Sequence, residues 1–220
     1  IFTLANQQKL LSILFEAVRK MPAAEENVAL FAVTKQQVIG QVLNQTVRSA
    51  EFSDLYHKLR SAGLHPIVVK GQLCGRLYPL KDHRISADDD LYISDAEFMA
   101  CHEQLLANGL TTDTPTDELA TADEVSYTKN GSPLYIELHR HLFDSAEDAH
   151  DELNHFFADL NPVEIDGFLA MPPHEHLLYL LHQRVGDSID ALAASHLVQQ
   201  LQLLSWLWPR HGHMRNPIMM

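Results

Sequence analysis

The chain has 220 residues, 46% of them hydrophobic and 20% charged, a composition that supports a folded core and excludes global disorder. No apolar run approaches the roughly 20 residues of a membrane-spanning helix, and two cysteines, Cys74 and Cys101, are too few for a disulfide framework and point to a reducing compartment. A formal charge of −13, with 16 Lys+Arg against 29 Asp+Glu, disfavours a protein built to grip a nucleic-acid backbone.

Residues 3–20 carry Leu4, Leu10, Leu11, Leu14, Phe15 and Val18 at helical spacing, and Met21-Pro22 closes that helix. A second helix is expected over 26–49, burying Leu30, Val33, Val38, Val42 and Leu43. A third, over 51–62, carries Phe52, Leu55, Tyr56 and Leu59 and stops at Gly63. The β-branched run 66–70 reads as a strand, Gly71 follows, and helical spacing resumes over 72–80 through Leu73, Leu77 and Leu80. A second strand covers 88–93. Ser94 and Glu97 have the spacing of a capping box for a helix to Asn108, closed by Gly109. The stretch 111–123 is the best candidate for a mobile loop.

Asn130-Gly131 is a favoured two-residue hairpin turn. It pairs Tyr127 with Leu134 and Val125 with Ile136 on one face, with Leu138, and puts Tyr135, Glu137, His139 and His141 on the other. Helices follow over 145–158, 173–185 (opened by Pro172-Pro173) and 188–207, with one short strand in 163–171. The order of elements, helices then a small sheet with inserted helices then helices again, is that of an α+β protein with a mixed sheet. The division expected is an N-terminal helical segment over 1–50, a core over 51–170 and a C-terminal helical segment over 171–220. The opening residues show no basic n-region and no small-residue cleavage site, so a cytoplasmic protein is expected.

Asp88 and Asp90 point to the same side of their strand, with Cα atoms about 6.6 Å apart, while Asp89 points toward the side of Leu91 and Ile93. Side-by-side carboxylates repel unless a cation lies between them, and hard oxygen ligands on a rigid element suit Mg²⁺ or Mn²⁺. If the strand of Glu137 neighbours this one, three carboxylates converge on one surface. The other reading is a solvated acidic strand start. Lys70-Gly71 forms a strand–glycine–helix junction where backbone amides and a lysine charge suit phosphate. Arg84 is either a phosphate contact or a salt-bridge partner of the acids. His139 and His141 share a face with Glu137, so a mixed metal site is one reading and an orienting or substrate-contacting His139 another. The pair His174/His176 points to different sides of a helix and is read as incidental. The two cysteines occupy apolar helical positions and read as core. There is no Gly-x-Ser-x-Gly elbow, P-loop or Rossmann glycine pattern, and Trp206 and Trp208 read equally as core or as partner surface.

The blocks Lys70-Gly71, Tyr78-Pro79, Arg84 with Asp88 and Asp90, and Glu137-Leu138-His139, followed by Pro173, Glu175, Leu177, Leu178 and His182, together resemble the uncharacterised bacterial nucleotidyltransferase family of the polymerase-β-like superfamily. The resemblance covers about residues 50–185 and rests on the ordered set of blocks. It implies a nucleotidyltransferase-like core with a small mixed sheet and flanking helices. It also implies that Asp88, Asp90 and Glu137 hold Mg²⁺ or Mn²⁺, with Glu137 helping to deprotonate an acceptor hydroxyl. Lys70, Gly71, Gln72 and Arg84 would lie about the phosphates of an NTP, with ATP the expected one. The implied reaction moves an NMP from the NTP to a hydroxyl of a small molecule or protein. Two positions depart from the superfamily pattern. Gln72 stands where Ser is usual, and Asp89 stands between the two acids in place of an apolar residue that needs no partner. The first departure favours the alternative, a degenerate nucleotide-binding or protein-interaction module.

Overall fold

The computed structural model describes residues 1–22, 26–143 and 150–185. The helix expected over 188–207, with Trp206, Trp208, His211 and His213, lies outside these residues, as do the first five residues of the helix expected over 145–158. Among the described residues the chain begins with α1 (Phe2–Gln7), α2 (Leu11–Val18) and α3 (Val28–Ser61). The single helix expected over 3–20 is broken at Lys9, whose φ of 56° places it in the left-handed region. The two helices expected over 26–62 are instead one helix of 34 residues. No proline or glycine interrupts it between Gln41 and Ser61, and Ser49 accepts from Gln45 and Gln72 side chains instead of capping a new helix.

Phe52, Leu55, Tyr56 and Leu59 are buried as expected. In the N-terminal half of α3, Val38 is buried, but Leu30, Val33 and Leu43 are exposed. Among the described residues that half packs on α1 and α2 through Ala5, Leu11, Phe15 and Val38, with Phe2, Leu14, Phe31 and Val42 around them.

The sheet has six strands: β1 (Ile67–Val68), β2 (Asp89–Tyr92), β3 (Glu124–Thr128), β4 (Tyr135–His139), β5 (Val163–Ile165) and β6 (Phe168–Ala170), in the order β3-β4-β2-β1-β6-β5. β2 runs parallel to β4, β1 runs parallel to β6, and the remaining neighbours are antiparallel. α4 (Gln72–Gly75) and a 3₁₀ turn (Lys81–His83) lie between β1 and β2, α5 (Asp95–Ala107) follows β2, α6 (His150–Ala158) follows β4, and α7 (Pro173–Val185) closes the described chain. This mixed sheet with flanking helices is the fold class expected. Among the described residues no helix is long and apolar enough to cross a membrane.

Several local expectations are corrected. The helix expected over 72–80 stops at Gly75 and continues as tighter turns, leaving Leu77 and Leu80 exposed. Ser94 is the N-cap of α5 without a side-chain cap bond: the Glu97 N–H donates to the Ser94 carbonyl at 3.0 Å, and the Glu97 carboxylate, the other half of the expected box, pairs with His65 Nδ1 at 2.8 Å. The hairpin turn lies at Asn130-Gly131, with Ser132 N–H donating to the Lys129 carbonyl. The ladder, however, pairs Tyr127 with Ile136 and Val125 with Leu138, two residues from the expected register. Leu134 N–H, which the expected register gives to Tyr127, is taken by Ser132 Oγ at 2.9 Å. A shift of two keeps every side chain on its face. The single strand expected in 163–171 is a hairpin, turned by Asp166 (φ 51°) and Gly167 (φ 84°), which suit a primed turn. The segment 111–123 is tied down: Thr111 bridges to Thr128, and Arg140 donates to the carbonyls of Leu119 and Ala120.

The sheet is covered on both faces. One face packs Val68, Leu91, Ile93, Val125, Tyr127, Ile136 and Leu138 with the second half of α3 and with α5. The other packs Ile67, Val69, Tyr92 and Leu169 against Phe143, Phe157 and Tyr179. Cys74 and Cys101 are buried free thiols, and burial pushes Cys101 up to about 12, so it is core as expected. Two polar contacts tie α3 to the sheet. The Tyr56 hydroxyl donates to Pro66 O at 3.0 Å and accepts from Leu169 N–H at 2.8 Å. The Arg48 guanidinium, buried with only 5% of its side chain exposed, pairs with the fully buried Asp89 at 2.7 Å.

Removing one partner of a buried ion pair strands the other charge, at a cost of about 3–5 kcal/mol, whereas an apolar pair of similar volume is often neutral. Arg48→Ala is therefore expected to lose about that much in urea unfolding, and Arg48→Met with Asp89→Leu to regain most of it. A loss below about 1 kcal/mol for the single variant would show that Asp89 finds other compensation.

Candidate active site

The central strand β2 is where the site begins. Its side chains alternate, so the acids at 89 and 90 leave the sheet on opposite sides, and both are fully buried. On the first side, Asp89 Oδ2 accepts from Arg48 Nε, while the rest of the guanidinium donates to the carbonyls of Ser86 (3.2 Å), Ala87 and Tyr135 (3.0 Å). Arg48 thereby fixes the approach to β2 and the start of β4. Asp89 also explains Gly71. At φ 55° and ψ −110° the backbone there is open only to glycine, and a Cβ would collide with Asp89 Oδ1 and stand 3.2 Å from its Cγ. Gly71 follows from a close approach of backbone to carboxylate.

On the second side, Asp90 lies opposite Glu137 in the parallel β2–β4 register, and His139 is two residues further along the same face of β4. Asp90, Glu137 and His139 each present a donor atom, all within 4.8 Å of one another. Lys70 Nζ is 3.2 Å from Asp90 Oδ1 and sits over the Tyr179 ring of α7, 5.5 Å from its centroid. His139 Nε2 is 3.4 Å from the same Oδ1. Asp90 Oδ2 and His139 Nε2 are both buried with no hydrogen-bond partner. Burial raises the Asp90 carboxyl, but His139 and the Lys70 ammonium outweigh it and hold Asp90 below the ordinary range. Glu137 is pushed up to about 7 by burial and by the charges of Glu124, Asp90 and Asp88. The cleft is short of positive charge.

The other expected residues fall around this group. Asp88 precedes β2, outside the group of three, and contributes to its field through its charge on Glu137. Arg84 Nη1 donates to Gly71 O at 3.3 Å, so it braces the glycine instead of pairing with the acids. Gln72 Nε2 donates to Ser49 Oγ at 3.1 Å. Three residues without an expected role take part: Arg48, Tyr179 and Glu124, the last opposite His139 in the hairpin register. Arg48 had a legible signal, a charged residue on the stripe of Phe52, Leu55 and Leu59.

A model of the uncharacterised nucleotidyltransferases matches residues 1–203. The chain belongs to this nucleotidyltransferase family. A search of curated proteins finds no match. The family match includes α1–α3, so the helices that deliver Arg48 and Ser49 belong to the same family unit as the acidic strand.

A divalent cation fits this cleft on the donors present: two carboxylates, an imidazole, and buried Asp90 Oδ2 and His139 Nε2 without hydrogen-bond partners. Gly71→Ala is expected to destabilise the fold by about 1–3 kcal/mol from backbone strain, with the Asp89 collision added. Thermal unfolding measures it, at about 2–4 °C per kcal/mol for a chain of this size. An unchanged melting temperature would mean that the Asp89 carboxylate yields freely.

Proposed function

We propose that this protein is a divalent-metal-dependent nucleotidyltransferase that moves an NMP from an NTP, ATP the expected donor, to a hydroxyl of a small molecule or protein. The observation that carries the reading is Asp90 and Glu137, side by side on parallel strands, with a buried carboxylate oxygen awaiting a partner. The net charge of −13 supports an acceptor other than a polynucleotide.

In this reading Asp90 and Glu137 would hold the ion, with Asp88 adding its charge from just before β2. When bound, a divalent cation offsets triphosphate charge and lowers the pKa of a coordinated hydroxyl. Glu137, the half-buried member of the group, accepts the proton of the acceptor hydroxyl. That oxygen forms its bond to the α-phosphorus while the bond from that phosphorus to the β-phosphate oxygen breaks, and pyrophosphate leaves in line. Lys70 and Arg84 bring positive charge beside Gly71, and Gly71 keeps the backbone there free of a side chain. Catalysis of this type is mainly positioning and electrostatic stabilisation, which suits carboxylates fixed on central strands.

One observation favours a second reading, a nucleotide-binding or protein-interaction module without turnover. Gln72 stands where the superfamily's phosphate-loop Ser is usual, and its amide is tied to Ser49.

Pyrophosphate release tests the reading, measured with ATP, GTP, CTP and UTP against a panel of hydroxyl acceptors, with Mg²⁺ or Mn²⁺. Glu137→Gln is expected to lower the rate by about 10²–10⁴-fold, the usual loss of a general base, and Asp90→Asn to abolish metal-dependent stabilisation by ATP. At 100 times its dissociation constant a ligand adds about 2.7 kcal/mol. Metal-independent nucleotide binding with no pyrophosphate from any pairing would overturn transfer in favour of the module.

A further inference from the structure

We propose that His139 is itself a metal ligand through Nε2, held in that role by Glu124, and that the site therefore selects Mn²⁺ over Mg²⁺. This deepens the reading above and rests on its metal-binding half alone, not on nucleotide transfer.

The donor set is mixed. No two of the atoms offered by Asp90, Glu137 and His139 are more than 4.8 Å apart. A single ion with ligands at about 2.1 Å bridges at most about 4.2 Å, so a small inward turn of one side chain completes the set. Two of the three groups each keep one buried atom without a hydrogen bond. Lys70 occupies Asp90 Oδ1 and leaves Oδ2 buried without a partner. His139 keeps only 9% of its side chain exposed, and its Nε2, 3.4 Å from Asp90 Oδ1, makes no hydrogen bond. Buried polar atoms of native proteins find partners, and here an ion on the Asp90–Glu137 side of the ring supplies one to both atoms.

The other ring nitrogen faces the opposite way. His139 Nδ1 is 3.7 Å from Glu124 Oε2, and Glu124 is the cross-strand neighbour of His139 in the β3–β4 ladder. A carboxylate beside one nitrogen of an imidazole favours the proton there, leaving the lone pair of the other for a metal. Glu124 is thus a positioning residue. The fourth member of the cleft, Lys70, lies on the Oδ1 side of Asp90 and leaves this geometry open.

The choice of ion follows from the imidazole. Mg²⁺ takes oxygen ligands and gives up water reluctantly, whereas nitrogen donors suit the first-row transition ions. Mn²⁺ accepts carboxylates and imidazole together, and so meets both halves of the set.

The test uses the full chain, stripped with a chelator and without nucleotide. Loss of the free-ion electron paramagnetic resonance signal measures Mn²⁺ binding, and competition measures Mg²⁺. Mn²⁺ is expected to bind at least about tenfold more tightly than Mg²⁺. Glu124→Gln is expected to weaken Mn²⁺ by about 10–100-fold, as for other residues that orient a metal ligand, with circular dichroism unchanged. His139→Asp, an all-oxygen set, is expected to bring the two ions to near equality. Equal binding of the two ions by the unaltered chain, or an unchanged Mn²⁺/Mg²⁺ ratio in Glu124→Gln, overturns the proposal. Should His139→Asp fail to fold, these two measurements decide alone. Selective Mn²⁺ binding without pyrophosphate release sinks the transferase reading and leaves this one. Turnover with no preference between the ions does the reverse.

Discussion

The buried pair of Arg48 and Asp89 is the constraint on which the rest of the molecule turns. A guanidinium and a carboxylate taken out of water each lose several kcal/mol of hydration, and an isolated pair in an apolar core would not recover it. Here four of the five guanidinium N–H donors are used: Nε holds Asp89, and the other three hold the carbonyls of Ser86, Ala87 and Tyr135. These acceptors belong to the approach to β2 and to the first residue of β4. One side chain of α3 therefore sets where two parallel strands begin, and so sets Asp90 opposite Glu137. Asp89 Oδ1 in turn crowds Gly71, which places the Lys70-Gly71 junction over the same point. A helix far from the cleft in sequence thus determines its geometry through one ion pair.

The alternation of a strand explains why adjacent acids lead such different lives. Asp89 faces the larger core and meets a cation supplied by the chain. Asp90 faces α7 and meets Lys70 at one oxygen only. The polar groups around the first pair are linked further. Ser49 accepts from Gln72 and contacts Asp82, Gln45 accepts from Ser86 N–H, and Thr46 donates to Asp82. This links α3, the glycine junction and the 3₁₀ turn through side chains instead of backbone ladders.

Much of this was legible in the sequence, and what was not has physical causes. The mixed sheet followed from the order of the elements, whereas the adjacency of the Asp90 and Glu137 strands was implied only by the family resemblance of the ordered blocks. The faces of the hairpin were right although its register was not, because period-2 alternation is blind to a shift of two. That blindness hid Glu124: in the expected register it would have stood opposite Glu137, and the ladder sets it opposite His139. The expected helices divided α3 between 49 and 51, although no proline or glycine lies there and the Ser49 hydroxyl has tertiary partners. Asp89 and Arg48 each broke the apolar pattern of their own element. Two such breaks of opposite charge are complementary, but only the fold shows that they meet. Asp166-Gly167 carried a turn signal that a single-strand reading of 163–171 passed over.

The two sides of β2 differ in charge, and that difference argues for where chemistry belongs. On the first side the chain supplies the buried acid with a cation at Oδ2, although Oδ1 has no hydrogen-bond partner and burial still raises the Asp89 carboxyl above its ordinary range. On the second, Asp90, Glu137, Glu124 and Asp88 gather around one ammonium, Lys70, and Glu137 rises to about 7 as burial and these neighbours oppose its ionisation. A fold with no use for such a cleft would relieve it with a second arginine, as it does a few ångströms away with Arg48. Keeping Asp90 Oδ2 and His139 Nε2 buried and without partners costs stability. A charge-deficient cleft on rigid central strands is a cost that is recovered only when a cation arrives from solution.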